Sequence, residues 1–262
     1  MDKTNLVQTN AMKAKMDSGE LAVGMIVRLM RGVEIAAIAR SAGFDSLYID
    51  LEHCSFTLET IGQICVTAAA LGVTPLVRLP GLDKAAIGRT LEAGAQGIIV
   101  PHVDTRAEAE AIVDAARFPT SGTRSLLGAN PHTLYRTGPA VETMRRMNEA
   151  TLVVAMIESS TAVENAEEIA GVDGLDLLLV GTNDLSASLA CPGEFDCPAI
   201  AEAYAHVANA CHKRGKHFGV GGLSSRPDVA RQMIGLGAHY VSAGSDTGFL
   251  MSAGLAAAGQ FS

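Results

Sequence analysis

Two carboxylates stand where strands should end. Glu158 closes the apolar run Leu152-Val153-Val154-Ala155-Met156-Ile157, and Asp184 follows Leu177-Leu178-Leu179-Val180-Gly181 by three residues. A buried carboxylate is costly unless a cation or hydrogen-bond donors meet it, so acids capping two apolar strands mark a site. Together they can give two oxygens to a hard divalent cation and leave the remaining octahedral positions to water and substrate. The bland alternatives are a carboxylate pair sharing a proton and a helix cap, which Asp184, standing before Leu185-Ser186, can also be.

Other strand-like ends add chemistry. One reads Ile49-Asp50-Leu51-Glu52-His53, another Val77-Arg78, a third Val100-Pro101-His102. Arg78 offers a fixed fork of donors suited to a carboxylate or an enolate oxygen, its structural alternative being a salt bridge to Asp50 or Glu52. Histidine titrates near neutrality, which makes His53 the leading general base, with Asp50 or Glu52 to orient it; a cap or surface position is the alternative. His102 is more in keeping with a supporting or structural role. The turn Gly181-Thr182-Asn183 opens a helix, so its backbone N–H groups can hold a substrate carboxylate beside the metal. Arg28, ending the first strand-like run, can meet a distal carboxylate or form an exposed salt bridge. Gly219-Val220-Gly221-Gly222 can approach a phosphate or simply turn tightly.

Absences narrow the mechanism. None of the six lysines (Lys3, Lys13, Lys15, Lys84, Lys213, Lys216) falls at the C-terminal end of a strand, where a Schiff-base aldolase would need one. Neither G-x-G-x-x-G after the first strand nor G-x-x-x-x-G-K-[ST] is present. Metal-assisted chemistry, in which a cation polarises a ketone and stabilises an enolate, is the reading that remains.

The elements that must position these groups follow a rhythm. Eight strand-like runs recur at about 22–27, 46–51, 74–78, 97–101, 152–157, 177–181, 217–221 and 239–243. Between them lie helical patterns at 32–41, 58–71, 84–93, 106–117, 161–170, 199–214 and 226–236. Helix ends read Ala42-Gly43, Leu71-Gly72, Ala93-Gly94, Arg214-Gly215 and Leu236-Gly237, each a left-handed cap before the next strand. Alternation of this kind predicts a parallel sheet with helices outside, and eight strands predict a closed (β/α)8 TIM barrel over an open doubly wound sheet. With 262 residues and no proline- or serine-rich linker, residues 1–262 form one domain in this reading. The segment 118–151, helical only at 140–150, is long for a connector and is expected to cover the active site or meet another subunit. A helix at 10–18 is expected to plug the barrel bottom, and the tail at 246–262 to close the barrel or dock on a neighbouring subunit. Parallel barrels gather the ends of their strands in one mouth, so the acids, His53, His102 and Arg78 should converge.

Composition limits the partners. Twenty basic against 28 acidic residues give a net charge of −8, with no basic stripe for nucleic acid or anionic lipid. The start, Met1-Asp2-Lys3-Thr4-Asn5, lacks the apolar core of a signal peptide, and no apolar run is long enough for a membrane, so a cytoplasmic protein is expected. Five cysteines without a C-x-x-C pair suggest reduced packing residues rather than a disulfide framework or zinc knuckle.

From about residue 20 to 250 the chain resembles the HpcH/HpaI family of metal-dependent aldolases. The resemblance is carried by Phe44-Asp45-Ser46-Leu47-Tyr48-Ile49-Asp50-Leu51-Glu52-His53, Leu76-Val77-Arg78, Gly94-Ala95-Gln96-Gly97-Ile98-Ile99-Val100-Pro101, Ile157-Glu158 and Leu177-Leu178-Leu179-Val180-Gly181-Thr182-Asn183-Asp184-Leu185-Ser186. It implies a (β/α)8 barrel that binds pyruvate on a divalent metal (Mg²⁺, Mn²⁺ or Co²⁺), forms its enolate, and adds or releases an aldehyde, making or cleaving 4-hydroxy-2-oxo acids. It further implies Glu158 and Asp184 as metal ligands, Arg78 at the enolate and carbonyl oxygens, His53 as base with Asp50 as its support, and the backbone of Gly181, Thr182 and Asn183 as the pyruvate carboxylate cradle. Relatives of this kind are commonly hexamers, trimers of dimers, that exchange a C-terminal helix.

Three positions depart from the family pattern. Met156 stands where a Gln is usual, Gly181-Thr182-Asn183-Asp184 replaces Gly-Pro-x-Asp, and Glu92 occupies the place of an Asp that resembles a partner for the catalytic His. The run Ala155-Met156-Ile157-Glu158 and the pair Arg124-Ser125 also resemble a related branch, the citrate synthases of siderophore assembly. That makes a Claisen-type condensation of a 2-oxo diacid with an acyl thioester the alternative, and a non-catalytic protein binding a metal and a small acid a third reading.

Overall fold

The computed structural model describes residues 6–261; residues 1–5, with Lys3 and the start of the chain among them, and residue 262 lie outside the described part. Eight parallel strands, β1 (Ala22–Val27), β2 (Ser46–Asp50), β3 (Thr74–Arg78), β4 (Gly97–Val100), β5 (Leu152–Ile157), β6 (Leu177–Gly181), β7 (His217–Gly221) and β8 (Tyr240–Ser245), pair in sequence order and close on themselves. The closing seam sets Ala22 opposite Tyr240, with a register shift between Gly24 and Met25. The expected (β/α)8 barrel is therefore what forms.

Strand residues alternate between faces, and the two faces bury against different layers. Tyr48, Leu76, Ile99, Leu152, Val154, Met156, Leu177, Leu179 and Tyr240 fill the interior as one cluster. Leu47, Ile49, Val77, Ile98, Val100, Val153, Leu178 and Val180 turn outward into a second cluster shared with the helices. Both faces being dry explains why the strands read as continuous apolar runs. Alternation also aims the strand ends: continuing the inner face by two residues leads from Tyr48 to Asp50, from Leu76 to Arg78, from Met156 to Glu158 and from Ile26 to Arg28.

The outer ring comprises α2 (Glu34–Ala42), α3 (Leu58–Ala70), α4 (Lys84–Glu92), α5 (Arg106–Ala116), α6 (Ala140–Ala150), α7 (Ser160–Glu164), α8 (Ala166–Ala170), α9 (Thr182–Ser188), α10 (Pro198–Arg214), α11 (Pro227–Gly235) and α12 (Asp246–Ala258), with α1 (Ala11–Asp17) ahead of the barrel. The helix expected over 161–170 is two short ones. Asn165 caps the first, and its side-chain amide donates to the Asp104 carbonyl at 2.8 Å, which breaks the helix between them. All five glycines expected to cap helices sit at positive φ, between 63° and 114°. At the barrel bottom, Met12 and Met16 of α1 enter the interior cluster.

Of the two roles expected for 118–151, active-site cover or subunit contact, the cover is not formed within one chain and is corrected. No residue of this segment lines the mouth cavity. It is instead tied to the rest of the chain from beneath: Phe118 and Met147 pack with Val7, and Arg117 donates to the carbonyls of Asn148, Thr151 and Gly174. Leu127, Ala129, Pro131 and Tyr135 of the segment line an outer groove against α3 and α4.

Candidate active site

The strand ends meet around one cavity of about 140 Å³, lined by Arg28, His53, Arg78, Glu158, Gly181, Thr182, Asn183 and Asp184 among others. Of the residues expected to converge, Asp50, Glu52 and His102 do not line this space. Asp50, fully buried, lies behind the cavity wall.

Asp50 organises the mouth. One of its oxygens accepts from Arg78 Nε at 3.0 Å and the other from Arg78 Nη2 at 2.6 Å and Arg28 Nε at 2.9 Å. Its first oxygen also accepts the backbone N–H groups of Glu52 and His53. Burial alone would raise its carboxyl pKa, but the hydrogen bonds and charge of Arg78 and the bond from Arg28 outweigh that and lower it. Asp50 does not reach the His53 ring, which corrects its expected role: it carries the arginines and shapes the backbone of the β2 loop. The ring of His53 is half-exposed and has Glu52 Oε2 at 3.8 Å.

Glu52 is a junction that sequence reasoning undervalued. It meets Arg78 Nη1 at 2.6 Å and His102 Nε2 at 3.0 Å. The other ring nitrogen of His102 is 3.4 Å from Glu158, and the His102 backbone N–H donates to the same Glu158 oxygen at 3.1 Å. His102 itself is held at φ 55°, the left-handed region that aims its amide at Glu158. The sequence signal for this was Glu52 two residues beyond Asp50 on a strand-end loop.

Arg78 is 4% exposed, so its guanidinium must be paired, and each of its three nitrogens contacts a carboxylate. Burial would lower its pKa, yet Tyr48, Asp50 and Glu52 together raise it, and the group is permanently charged. Two of its five N–H groups are hydrogen-bonded to Asp50, and Nη1 meets Glu52 as an ion pair.

Glu158 is the uncompensated acid. Burial raises its pKa above the ordinary value, His102 pulls it down through a hydrogen bond and charge, and the charges of Asp184 and Glu52 push it up again. A buried Glu158 facing the like charge of an exposed Asp184 across the mouth fits a shared divalent cation, and their hard oxygens suit Mg²⁺ or Mn²⁺. Among the described residues no group of three or more His, Cys, Asp or Glu side chains is arranged for a metal, so an ion here would draw its remaining ligands from water and substrate. Gly181 is dictated by this geometry: a Cβ there would stand 2.4 Å from Glu158 Oε1.

The turn after β6 supplies amides. Gly181 is the N-cap of α9 and has no side chain to satisfy the first-turn N–H groups. The Thr182 hydroxyl is buried against Tyr204 at 2.7 Å, so Thr182 can offer the cavity its backbone only. Gly222 has its own steric reason, because a Cβ there would come within 3.1 Å of the Asn183 side-chain amide.

The departures from family pattern have definite surroundings. Met156 Sδ, at the cavity wall, accepts the Tyr48 hydroxyl at 3.5 Å. Glu92 lines the outer groove beside Arg89, not the mouth, so within one chain it does not pair with His53. Arg124 is buried against the Phe118 ring, 4.5 Å from its centroid, and lies outside the mouth cavity, which removes it from any substrate role in one chain.

Comparison with known proteins adds the family. The model of the HpcH/HpaI aldolase/citrate lyase family matches residues 30–253. The 4-hydroxy-4-methyl-2-oxoglutarate aldolase tasA of Hapsidospora irregularis is 35% identical, covering 95% of this chain and 94% of its own. A 2-keto-3-deoxy-L-rhamnonate aldolase of Escherichia coli O17:K52:H18 is 32% identical over 93% of this chain and 90% of its own. The crystal structure of an HpcH/HpaI aldolase from Desulfitobacterium hafniense DCB-2 superposes with a TM-score of 0.90 at 27% identity, covering 95% of each chain.

Proposed function

The chain belongs to the HpcH/HpaI aldolase/citrate lyase family and is a carbon–carbon lyase, and from that premise we propose that it cleaves and forms 4-hydroxy-2-oxo acids through a pyruvate enolate and an aldehyde. The observation that carries this reading is the convergence of Glu158, Asp184, Arg78 and His53 on one cavity sized for a small organic acid. Glu158 and Asp184 would hold a divalent cation, which would supply Lewis acidity toward the ketone oxygen.

The protein's own groups do the rest. First-turn amides of Gly181, Thr182 and Asn183 bind the oxo acid's carboxylate. Arg78, immobilised by Asp50 and Glu52, lines the cavity as the cation for the oxygen that gains charge, and its rigidity means that little reorganisation is needed as the charge forms. In the cleavage direction His53 takes the proton of the C4 hydroxyl, the C3–C4 bond breaks to give the carbonyl fragment and the enolate, and the proton returns to C3 to complete pyruvate. Glu52, rather than Asp50, is the carboxylate beside the His53 ring. His102 holds Glu52 and Glu158 in register from outside the cavity.

The identity of the metal follows supply as much as site, and Mg²⁺, Mn²⁺ and Co²⁺ all suit two carboxylates. The exposed apolar residues Leu250, Met251 and Leu255 on α12 support a homo-oligomer, a hexamer with exchanged C-terminal helices being the form that the family resemblance implies. Among the described residues no helix is long and apolar enough to cross a membrane. The acyl-thioester alternative leaned partly on Arg124, which is buried away from the mouth. Pyruvate release from a 4-hydroxy-2-oxo acid, abolished by chelation and restored by Mg²⁺ or Mn²⁺, is the expected outcome in a coupled assay. Thiol release from an acyl thioester with no pyruvate release would overturn it. The two curated relatives are named for substrates that differ beyond C4, one with a second carboxylate and one without, so membership leaves the carbonyl fragment open.

A further inference from the structure

Resting on the aldolase reading, we propose that Arg28 binds a carboxylate on the carbonyl fragment, so that the preferred substrates are 4-hydroxy-2-oxo diacids rather than monoacids. Arg28 follows β1 two residues after Ile26, which faces the interior, and both line the cavity. It is held at two places. Its backbone N–H, with those of Leu29 and Met30, donates to the Asp246 carboxylate at 2.8–3.0 Å. Its Nε donates to Asp50 at 2.9 Å.

The contrast with Arg78 assigns the two guanidiniums different tasks. Both are mounted on Asp50, but all three nitrogens of Arg78 are matched to carboxylates, whereas among the described residues only the Nε of Arg28 has a protein acceptor. Four N–H groups on its terminal nitrogens are left in a fork whose stem is fixed, a geometry matched to a carboxylate. The Arg28 side chain is 38% exposed against 5% for Arg78. Arg78 is thus the more enclosed of the two and Arg28 the more open to solvent, and the assignment puts the departing fragment beside Arg28. Because part of the fork reaches solvent, water can serve a neutral fragment, and discrimination is moderate rather than absolute. Immobilising the fork in advance reduces the ordering cost of binding.

The test compares kcat/KM for cleavage of two synthetic substrates, a 4-hydroxy-2-oxo acid with a carboxylate on the far fragment and one with a methyl group in its place. Wild type should prefer the diacid, and Arg28→Gln should reduce that preference by about 10- to 150-fold, mainly through KM, the range for losing one hydrogen-bonded charge contact. Arg28→Lys, which keeps the charge without the fork, should retain part of the preference. Equal losses on both substrates in Arg28→Gln would mean that Arg28 acts only through Asp50 and would overturn the proposal. So would a wild-type enzyme that cleaves both acids equally well, an outcome that leaves the aldolase reading intact. Cleavage of neither acid by wild type would instead overturn the aldolase reading and this assignment with it.

Discussion

The two ends of the barrel treat their charges in opposite ways. At the bottom the two acids just ahead of β2 and β6, Asp45 and Asp176, are satisfied by the chain itself. Asp176 accepts from Lys13 at 2.6 Å, Arg117 at 2.6 Å and the Val153 amide at 2.7 Å, while Asp45 accepts from Lys15 at 2.9 Å and the Val23 amide at 2.8 Å. Asn10, Thr74 and the Gln96 carbonyl close a further buried network. At the mouth, among the described residues Glu158 has only a backbone amide and the His102 ring as partners, and it faces the like charges of Asp184 and Glu52. Paired acids help to hold a fold, whereas a buried acid left short of positive charge at the edge of a polar cavity suits a cation or substrate.

Substitutions at the two ends should therefore separate activity from stability. Glu158→Gln removes a repulsive charge, so pyruvate release should fall by on the order of 10³-fold or more while the thermal midpoint holds or rises. Asp176→Ala strands Arg117 and Lys13, and should cost about 3 kcal/mol, seen as a midpoint lower by roughly 5–10 °C with activity per folded molecule retained. A Glu158→Gln protein that unfolds earlier than wild type would erase the distinction.

A second test probes the junction between paired and unpaired groups. Glu52→Gln keeps the shape but weakens the contacts to Arg78, His102 and His53, so kcat should drop by about 10- to 100-fold with divalent-cation affinity little changed. Calorimetric titration with Mn²⁺ beside steady-state kinetics would distinguish this from a loss of metal.

The smallest effect is a pH dependence of metal binding. The Glu158 carboxyl lies above its ordinary value of 4.5, chiefly through burial. A raised folded-state pKa means that the proton stabilises the metal-free protein: this contribution is complete below 4.5 and is lost as pH climbs through the shifted value. A cation competes for the same oxygen, so the thermal shift produced by Mg²⁺ should grow over that window. A shift that is flat with pH would place the ion elsewhere.

Much of this was legible in the sequence because barrels impose strong patterns. Runs such as Leu177-Leu178-Leu179-Val180 are buried on both faces, which only a covered parallel sheet requires, and period-two alternation aims Arg78 and Glu158 at one mouth. What could not be read was pairing across strands. Asp50 carries two arginines rather than the His53 ring because Arg28 and Arg78 flank it on neighbouring strands, a register that no spacing along the chain records. The role of Asp246, more than two hundred residues from the loop it holds, was hidden for the same reason. The segment 118–151 misled because length and proline content report an irregular loop but not which side of the barrel it packs on.

The central claim is that the mouth makes a pyruvate enolate with the help of a cation held by Glu158 and Asp184. Its most direct test is exchange of pyruvate's methyl protons with deuterated water, followed by NMR on protein stripped of metal and then resupplied with Mg²⁺, Mn²⁺ or Co²⁺. The account predicts exchange that appears only with a cation and disappears in Glu158→Gln. Absence of exchange with all three ions, or exchange that persists in chelator, would contradict it.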